Sequence, residues 1–209
     1  MDRYRERVIP SDDGLLLAWR AGDLKSGDVL WRRHASAVER FFRNKVPRAA
    51  APDLAQRTIE QALRIEASVR SFRNYILGIA RHQLYDYLRA EQRRSRRHAE
   101  LETLVIDDTL PSAETWISLK RQQRILLHAL RRMALPVQLA LELRYWERMS
   151  DGEIACVLEL PVGTVKSRIA AGKTALRREI ARLASAPERL KTTEDSLDKW
   201  ASRLWPPGE

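Results

Sequence analysis

Between Pro161 and Lys173, the side chains able to do chemistry are Thr164, Lys166, Ser167, Arg168 and Lys173. Wound into a helix, Lys166, Ser167, Ala170 and Lys173 share one outward face, with Arg168 flanking it. These groups donate hydrogen bonds and carry positive charge. Their chemistry is therefore recognition of a polyanion, cations against phosphates and donors against base edges. The rest of the chain offers no competing chemistry. No nucleophile sits beside a base, and there is no paired carboxylate, phosphate loop or metal cluster. Cys156 is the single cysteine, so it can form neither an internal disulfide nor a multi-thiolate metal site. His34, His82, His98 and His128 lack metal-ligand spacing. The expectation is a protein without catalytic residues, metal or cofactor.

The elements that must position the basic face are legible. Ser150-Asp151-Gly152-Glu153 reads as a capping box, in which the Ser150 hydroxyl and the Glu153 carboxylate each satisfy a backbone N–H of the other. It starts a short helix, Asp151 to Leu158. Ile154 and Ala155 supply one large and one small inward residue, which permits close helix approach. Glu159-Leu160 makes the turn, and Pro161 restarts the chain. The second helix then runs from about Val162 to Arg182, with Val165, Ile169, Leu176 and Ile180 inward. An ordinary αα-hairpin accounts for this apolar spacing but not for the basic outward face. A helix-turn-helix that docks its second helix in the major groove accounts for both. The N-terminal dipole of that helix, with Thr164 and Arg168, suits phosphates.

Composition points the same way. Over 209 residues, 38 Lys and Arg stand against 28 Asp and Glu, a formal net charge of +10. Such an excess favours nucleic acid or an anionic membrane as partner. No apolar run approaches the roughly 18 residues of a membrane span, and the charged N-terminus has no apolar core of a signal peptide. We expect a cytoplasmic protein. Glycine and proline are sparse and helical periodicity dominates, so the fold is read as all-α, two small helical domains joined by a flexible acidic linker.

The first domain spans residues 11–97. Ser11 caps a helix carrying Leu15, Leu16 and Trp19, and Gly22-Asp23 ends it. A second helix places Val29, Leu30, His34, Val38, Phe41 and Phe42 on one side. Pro47 to Pro52 reads as a turn. A third helix, Asp53 to Leu63, turns Leu54, Ile59 and Leu63 inward. A fourth, Ser71 to Arg97, carries Tyr75, Ile76, Ile79, Ala80, Leu84 and Leu88 at helical spacing. It ends in a basic run, Arg89, Arg93, Arg94, Arg96 and Arg97. The charge then reverses through Glu100, Glu102, Asp107, Asp108 and Glu114, which marks residues 98–115 as the linker. The second domain, 116–184, opens with a helix through Leu119, Ile125, Leu126 and Leu130. Pro136 starts the next helix, with Leu139, Leu143 and Tyr145. Residues 185–209 form a polar extension with one apolar stripe, Leu197, Trp200, Ala201, Leu204 and Trp205.

These motifs resemble a known family. Leu135-Pro136, Ser150 to Ala155 and Gly163-Thr164-Val165-Lys166-Ser167-Arg168 resemble domain 4 of the extracytoplasmic-function (ECF) sigma factors. Asp53-Leu54-Ala55-Gln56 resembles that family's segment for binding the RNA polymerase clamp. Ser71-Phe72-Arg73-Asn74-Tyr75, Ile79-Ala80-Arg81 and Asp86-Tyr87-Leu88-Arg89 resemble its promoter-melting and minus-ten segment. The resemblance covers roughly Leu15 to Leu183. It implies a protein that binds core RNA polymerase and promoter DNA, with no catalysis of its own, often restrained by an anti-sigma factor. It assigns polymerase binding to Asp53, Gln56, Arg57 and Glu60. Minus-ten recognition and melting fall to Phe72, Arg73, Tyr75, Arg81, His82, Tyr85, Asp86 and Arg89. Minus-thirty-five recognition falls to Thr164, Lys166, Ser167, Arg168, Ala170, Ala171 and Lys173.

Physical chemistry supports the melting segment, because aromatic side chains among arginines suit unstacked single strands. Core packing is the competing account of Tyr75, and Tyr85 and Tyr87 fit either. The sequence departs from the family pattern in five places. Arg57 stands where an acidic residue is usual, His82 for Asn, Glu159 for Gly, Pro161 for Ser, and Ala171 for Arg. The last predicts a missing contact, costing about 1–3 kcal/mol of discrimination if it was to a base. A stand-alone helix-turn-helix regulator of operator DNA is the alternative, but it needs no melting segment. Deleting residues 185–209 is expected to leave polymerase binding intact in a pull-down while changing promoter activity. Loss of polymerase binding would refute that expectation.

Overall fold

The computed structural model describes residues 10–43, 45–64, 69, 71–95 and 121–183. The linker, the residues expected to begin the second domain, and the C-terminal stripe lie outside the described residues. Among the described residues there are eight helices and no strand.

Four helices form the first unit. Helix α1, Asp12–Arg20, is capped by the Ser11 hydroxyl, which accepts from the Gly14 N–H at 3.2 Å. Gly22 ends the connection with φ +100°, a conformation that favours glycine. Helix α2 is Leu24–Arg43, and its buried face includes Leu30, Val38, Phe41 and Phe42. The Asp12 carboxylate ties α1 to α2 by accepting from Arg33 at 2.9 Å and lying 2.6 Å from His34 Nε2. Helix α3 is Ala51–Arg64, so Pro52 belongs to its first turn rather than to the preceding loop. Helix α4 is Phe72–Ser95.

Two apolar assignments from the sequence fail here. Val29 is 41% exposed on α2 and Leu63 is 36% exposed on α3. The buried face of α3 is Leu54, as its spacing predicts, with the small residues Ala55, Thr58 and Ala62 beside it, which lets α2 and α4 approach. Thr58 offsets the burial of its hydroxyl by donating to the Leu54 carbonyl at 2.7 Å.

The second unit comprises α5 (Arg121–Arg131), α6 (Leu135–Tyr145), α7 (Asp151–Leu158) and α8 (Val162–Leu183). Helix α8 packs on the other three. Its crossing with α6 is tight at Gly172, where an added Cβ would lie 2.8 Å from Val137 Cγ1. Val165, Ile169, Leu176 and Ile180 are buried, as their spacing demands. The two units also pack against each other, mainly through α4 and α7, and their apolar residues join one core cluster.

The helix-turn-helix starts as its sequence requires. Ser150 Oγ accepts from the Glu153 N–H at 3.3 Å, and Glu153 Oε2 accepts from the Ser150 N–H at 2.8 Å. Ser150→Ala should remove about 1 kcal/mol of stability. A urea titration of the full chain, compared with the unsubstituted protein, checks this.

Candidate nucleic-acid interface

Helix α8 presents the expected basic face. Lys166, Ser167, Ala170 and Ala171 are exposed near its N-terminus, and Thr164 and Arg168 are partly exposed. Lys173 departs from the simple outward reading. It is half-buried, with its ammonium 5.6 Å from the centre of the Tyr145 ring. That contact fixes the lysine stem against α6 and restrains where its charge projects.

On α3, Asp53, Gln56, Arg57 and Glu60 are all exposed on one face. They pair along the helix, Arg57 with Asp53 at 2.9 Å and Gln56 donating to Glu60 at 3.0 Å. The positive charge at Arg57, unexpected for the family, is thus partly met within its own helix. Pairs this exposed contribute little stability, which leaves them free to exchange for a partner's groups.

The α4 residues divide into three groups. Phe72 is 2% exposed, its ring tilted by 60° to that of His34 with the centroids 5.2 Å apart, so in this structure it has no face to offer a base. Tyr75 is half-buried and donates to the Ala62 carbonyl at 3.3 Å, in keeping with the packing account. Burial pushes its phenol above the ordinary value. His82, Tyr85, Asp86 and Arg89 form a stripe of exposed and half-exposed residues. Asp86 accepts from Arg89 at 3.1 Å, and the Arg81 guanidinium lies 6.0 Å from the Tyr85 ring. Arg73 and Arg81 form the third group, which faces the second unit.

The contacts of that third group are unsuspected from sequence. Arg40 of α2 forms a two-pronged pair with Glu147, Nε to Oε1 at 2.9 Å and Nη2 to Oε2 at 3.1 Å. Arg73 adds a bond to the same Oε2 at 2.8 Å and a second to the Glu147 carbonyl. Lys45, fully buried just past α2, pairs with Glu142 of α6, whose other oxygen accepts from Gln138 at 2.8 Å. Arg81 donates to the Leu158 carbonyl at 3.1 Å and pairs with Glu159 at 2.5 Å. His82 Nε2 lies 2.8 Å from the other Glu159 oxygen. Glu159 itself caps α7 in the left-handed region, φ 55° and ψ 47°, at a steric cost of about 1–2 kcal/mol for a residue with a Cβ.

Electrostatics follows from these partners. Burial raises the Glu147 pKa, but hydrogen bonds and charge from Arg40 and Arg73 outweigh it, and the carboxyl ends below its ordinary range. Burial pushes the Glu142 carboxyl up, and Lys45 and Gln138 only partly pull it back. The Arg81 hydrogen bond holds Glu159 below its usual value against partial burial, helped by His82.

A helix-turn-helix packed on a second helical unit, with basic and aromatic residues on both, defines a two-part DNA-binding protein. Residues 30–94 match Sigma-70 region 2, and residues 123–176 match Sigma-70, region 4. The chain is 26% identical over 182 residues to the ECF RNA polymerase sigma-E factor of Haemophilus influenzae, covering 81% of this chain and 95% of that protein. It is 24% identical over 181 residues to the ECF RNA polymerase sigma-E factor of Escherichia coli K12, covering 81% and 94%. Its fold is similar to that of CnrH in complex with the cytosolic domain of CnrY, with TM-score 0.60 and 20% identity, covering 83% of this chain and 99% of that one. The chain belongs to the sigma-70 family of RNA polymerase sigma factors, in its extracytoplasmic-function group. It directs transcription initiation with core RNA polymerase on promoter DNA.

Glu147 sits where two arginines converge, and neutralising it strands both. Glu147→Gln should cost about 3 kcal/mol. The sign with pH is set by its depressed pKa. Its contribution is complete above the ordinary carboxylate value of roughly 4.3 and is lost as pH falls through the lower folded value. The difference in urea stability between the two proteins should therefore be large at neutral pH and shrink on acidification. A difference independent of pH would contradict the ion-pair account.

Proposed function

We propose that this sigma factor holds promoter DNA at two points. The N-terminal part of α8 enters the major groove of the minus-thirty-five element, with Lys166, Ser167, Ala170 and Ala171 towards base edges and Thr164, Arg168 and Lys173 towards phosphates. The α4 stripe of His82, Tyr85, Asp86 and Arg89, with Arg81 beside it, receives the minus-ten element as it opens. The exposed α3 face, Asp53, Gln56, Arg57 and Glu60, docks on core polymerase. The observation that carries this reading is a capped helix-turn-helix whose second helix leaves its basic N-terminal turns uncovered. Arg73 belongs to the packing between the units in this conformation, and Phe72 supports α4 from within.

The protein works without chemistry of its own, lending recognition to the polymerase that does the synthesis. We place that work in the cytoplasm. Among the described residues no helix is long and apolar enough to cross a membrane, which is compatible with that placement. The likeness to CnrH bound by the cytosolic domain of CnrY supports a protein partner, and we read that partner as an anti-sigma factor. A stand-alone operator regulator is disfavoured because the first unit matches Sigma-70 region 2.

Transcription from purified parts tests the reading. With core polymerase and genomic promoter fragments, the full chain should yield promoter-specific transcripts. Lys166→Ala combined with Ser167→Ala should lower transcript yield at least tenfold, about 1.4 kcal/mol or more, while core binding in a pull-down stays unchanged. Tight binding to DNA alone, without initiation, would instead favour the operator regulator.

A further inference from the structure

Two residues distant in sequence meet in space. Glu159 and His82 are 77 positions apart in the chain and 2.8 Å apart in the fold. Arg81 completes the group at 2.5 Å from the same carboxylate, and its other nitrogen holds the Leu158 carbonyl at the end of α7. Glycine would adopt the left-handed conformation at position 159 freely. The chain instead places there a strained glutamate whose carboxylate reaches out of the turn and onto α4.

The position of this contact distinguishes it from the other pairs between the units. Glu142, on α6, and Glu147, just beyond its end, are buried against Lys45, Arg40 and Arg73. Glu159 lies in the turn between the two helices of the DNA-reading unit; of its partners, His82 belongs to the exposed α4 stripe and Arg81 lies beside it. The side chains of His82 and Glu159 are more than half exposed, whereas that of Arg81 is only 14% exposed. The pair is thus at the rim, open to solvent and to competing anions, with a buried anchor behind it.

We propose that Glu159 is an intramolecular latch, which holds the helix-turn-helix against α4 through Arg81 and His82 and keeps those two side chains from DNA until the units separate. The latch rests on the reading of the α4 stripe as a promoter-facing surface. Phosphates of promoter DNA compete for the Arg81 charge and for the same hydrogen-bonding side chains, so opening exchanges one anion for another. A free chain is held closed, and polymerase, by drawing the units apart, makes Arg81 and His82 available. The substitution that relieves backbone strain at 159 is therefore also the one that unlocks the protein.

The test measures the distance between the units in the full chain, without DNA or polymerase. Spin labels go on Cys156 of α7 and on Lys25→Cys at the start of α2, both exposed sites. Double electron–electron resonance should give mainly one short distance for the otherwise unaltered chain. Glu159→Gly and Glu159→Gln should each raise the long-distance population at least threefold. The charge exchange Arg81→Glu with Glu159→Arg should restore the short distance that Arg81→Glu alone loses. A chain already open before substitution, a distribution unmoved by both Glu159 variants, or failure of the exchange to restore closure would overturn the latch. Because these distances require no promoter, failure of the promoter reading shows separately, as an opened chain that still gives no transcript with core polymerase.

Discussion

The arrangement of this protein depends on Glu147. It lies just beyond the end of α6, where one carboxylate takes a two-pronged bond from Arg40 and a further bond from Arg73. That point fixes α6 against α2 and α4 together. Helix α7 follows four residues later, so its position on α4 is set by the same anchor. Helix α8 in turn takes its direction from α6 and α7, through the Gly172 crossing and the apolar stripe from Val165 to Ile180. The orientation of the DNA-reading face relative to the rest of the molecule is thus traced back to one buried carboxylate and its cations.

Joining two units with buried charge has a physical consequence. An apolar interface of the same size gains free energy from excluding water and has no alternative partner once opened. Ion pairs gain much less, because desolvating both charges offsets most of their attraction. When such pairs part, each charge recovers its hydration. An interface built on Lys45 with Glu142 and Arg40 with Glu147 is therefore specific in register yet closer to balance than its burial suggests. Some apolar residues of the two units also meet, which sets a limit on how freely they separate.

The sequence revealed local structure well and contacts between distant parts poorly. Ser150 and Glu153 announce α7 because both halves of the capping box lie within one turn. The α8 stripe is legible for the same reason, since spacing alone decides which side chains share a face. Val29 and Leu63 mislead because periodicity cannot tell a core face from an apolar residue at its margin, and small residues such as Ala55 and Ala62 carry little hydropathic signal. Phe72 reads as an aromatic among arginines, yet its ring is buried beside His34, a neighbour nearly forty residues away. The charges at Arg40, Lys45, Glu142 and Glu147 look like ordinary solvated residues, and nothing local marks them as buried partners. Only Glu159 and His82 carried a hint, each being unusual at its position; their relation to each other required the fold.

Geometry also limits what the closed arrangement can do. On the proposed assignments, α8 and α4 address promoter elements whose positions differ by about 25 base pairs, or roughly 85 Å of duplex at 3.4 Å per step. With α7 resting on α4, the two reading surfaces are neighbours and cannot occupy both elements at once. The chain between Ser95 and Arg121 has a covalent reach of roughly 85 Å when fully extended, and the widths of the two units add to that. Separation along such a span is possible without unfolding either unit. The face of α8 is already uncovered in the closed form, while Arg81 and His82 of α4 are engaged by the turn that precedes it. On the proposed assignments the closed chain is therefore asymmetric: the α8 face proposed for the minus-thirty-five element is uncovered as it stands, whereas two side chains at the α4 surface proposed for the minus-ten element, Arg81 and His82, are engaged by Glu159 until the units part.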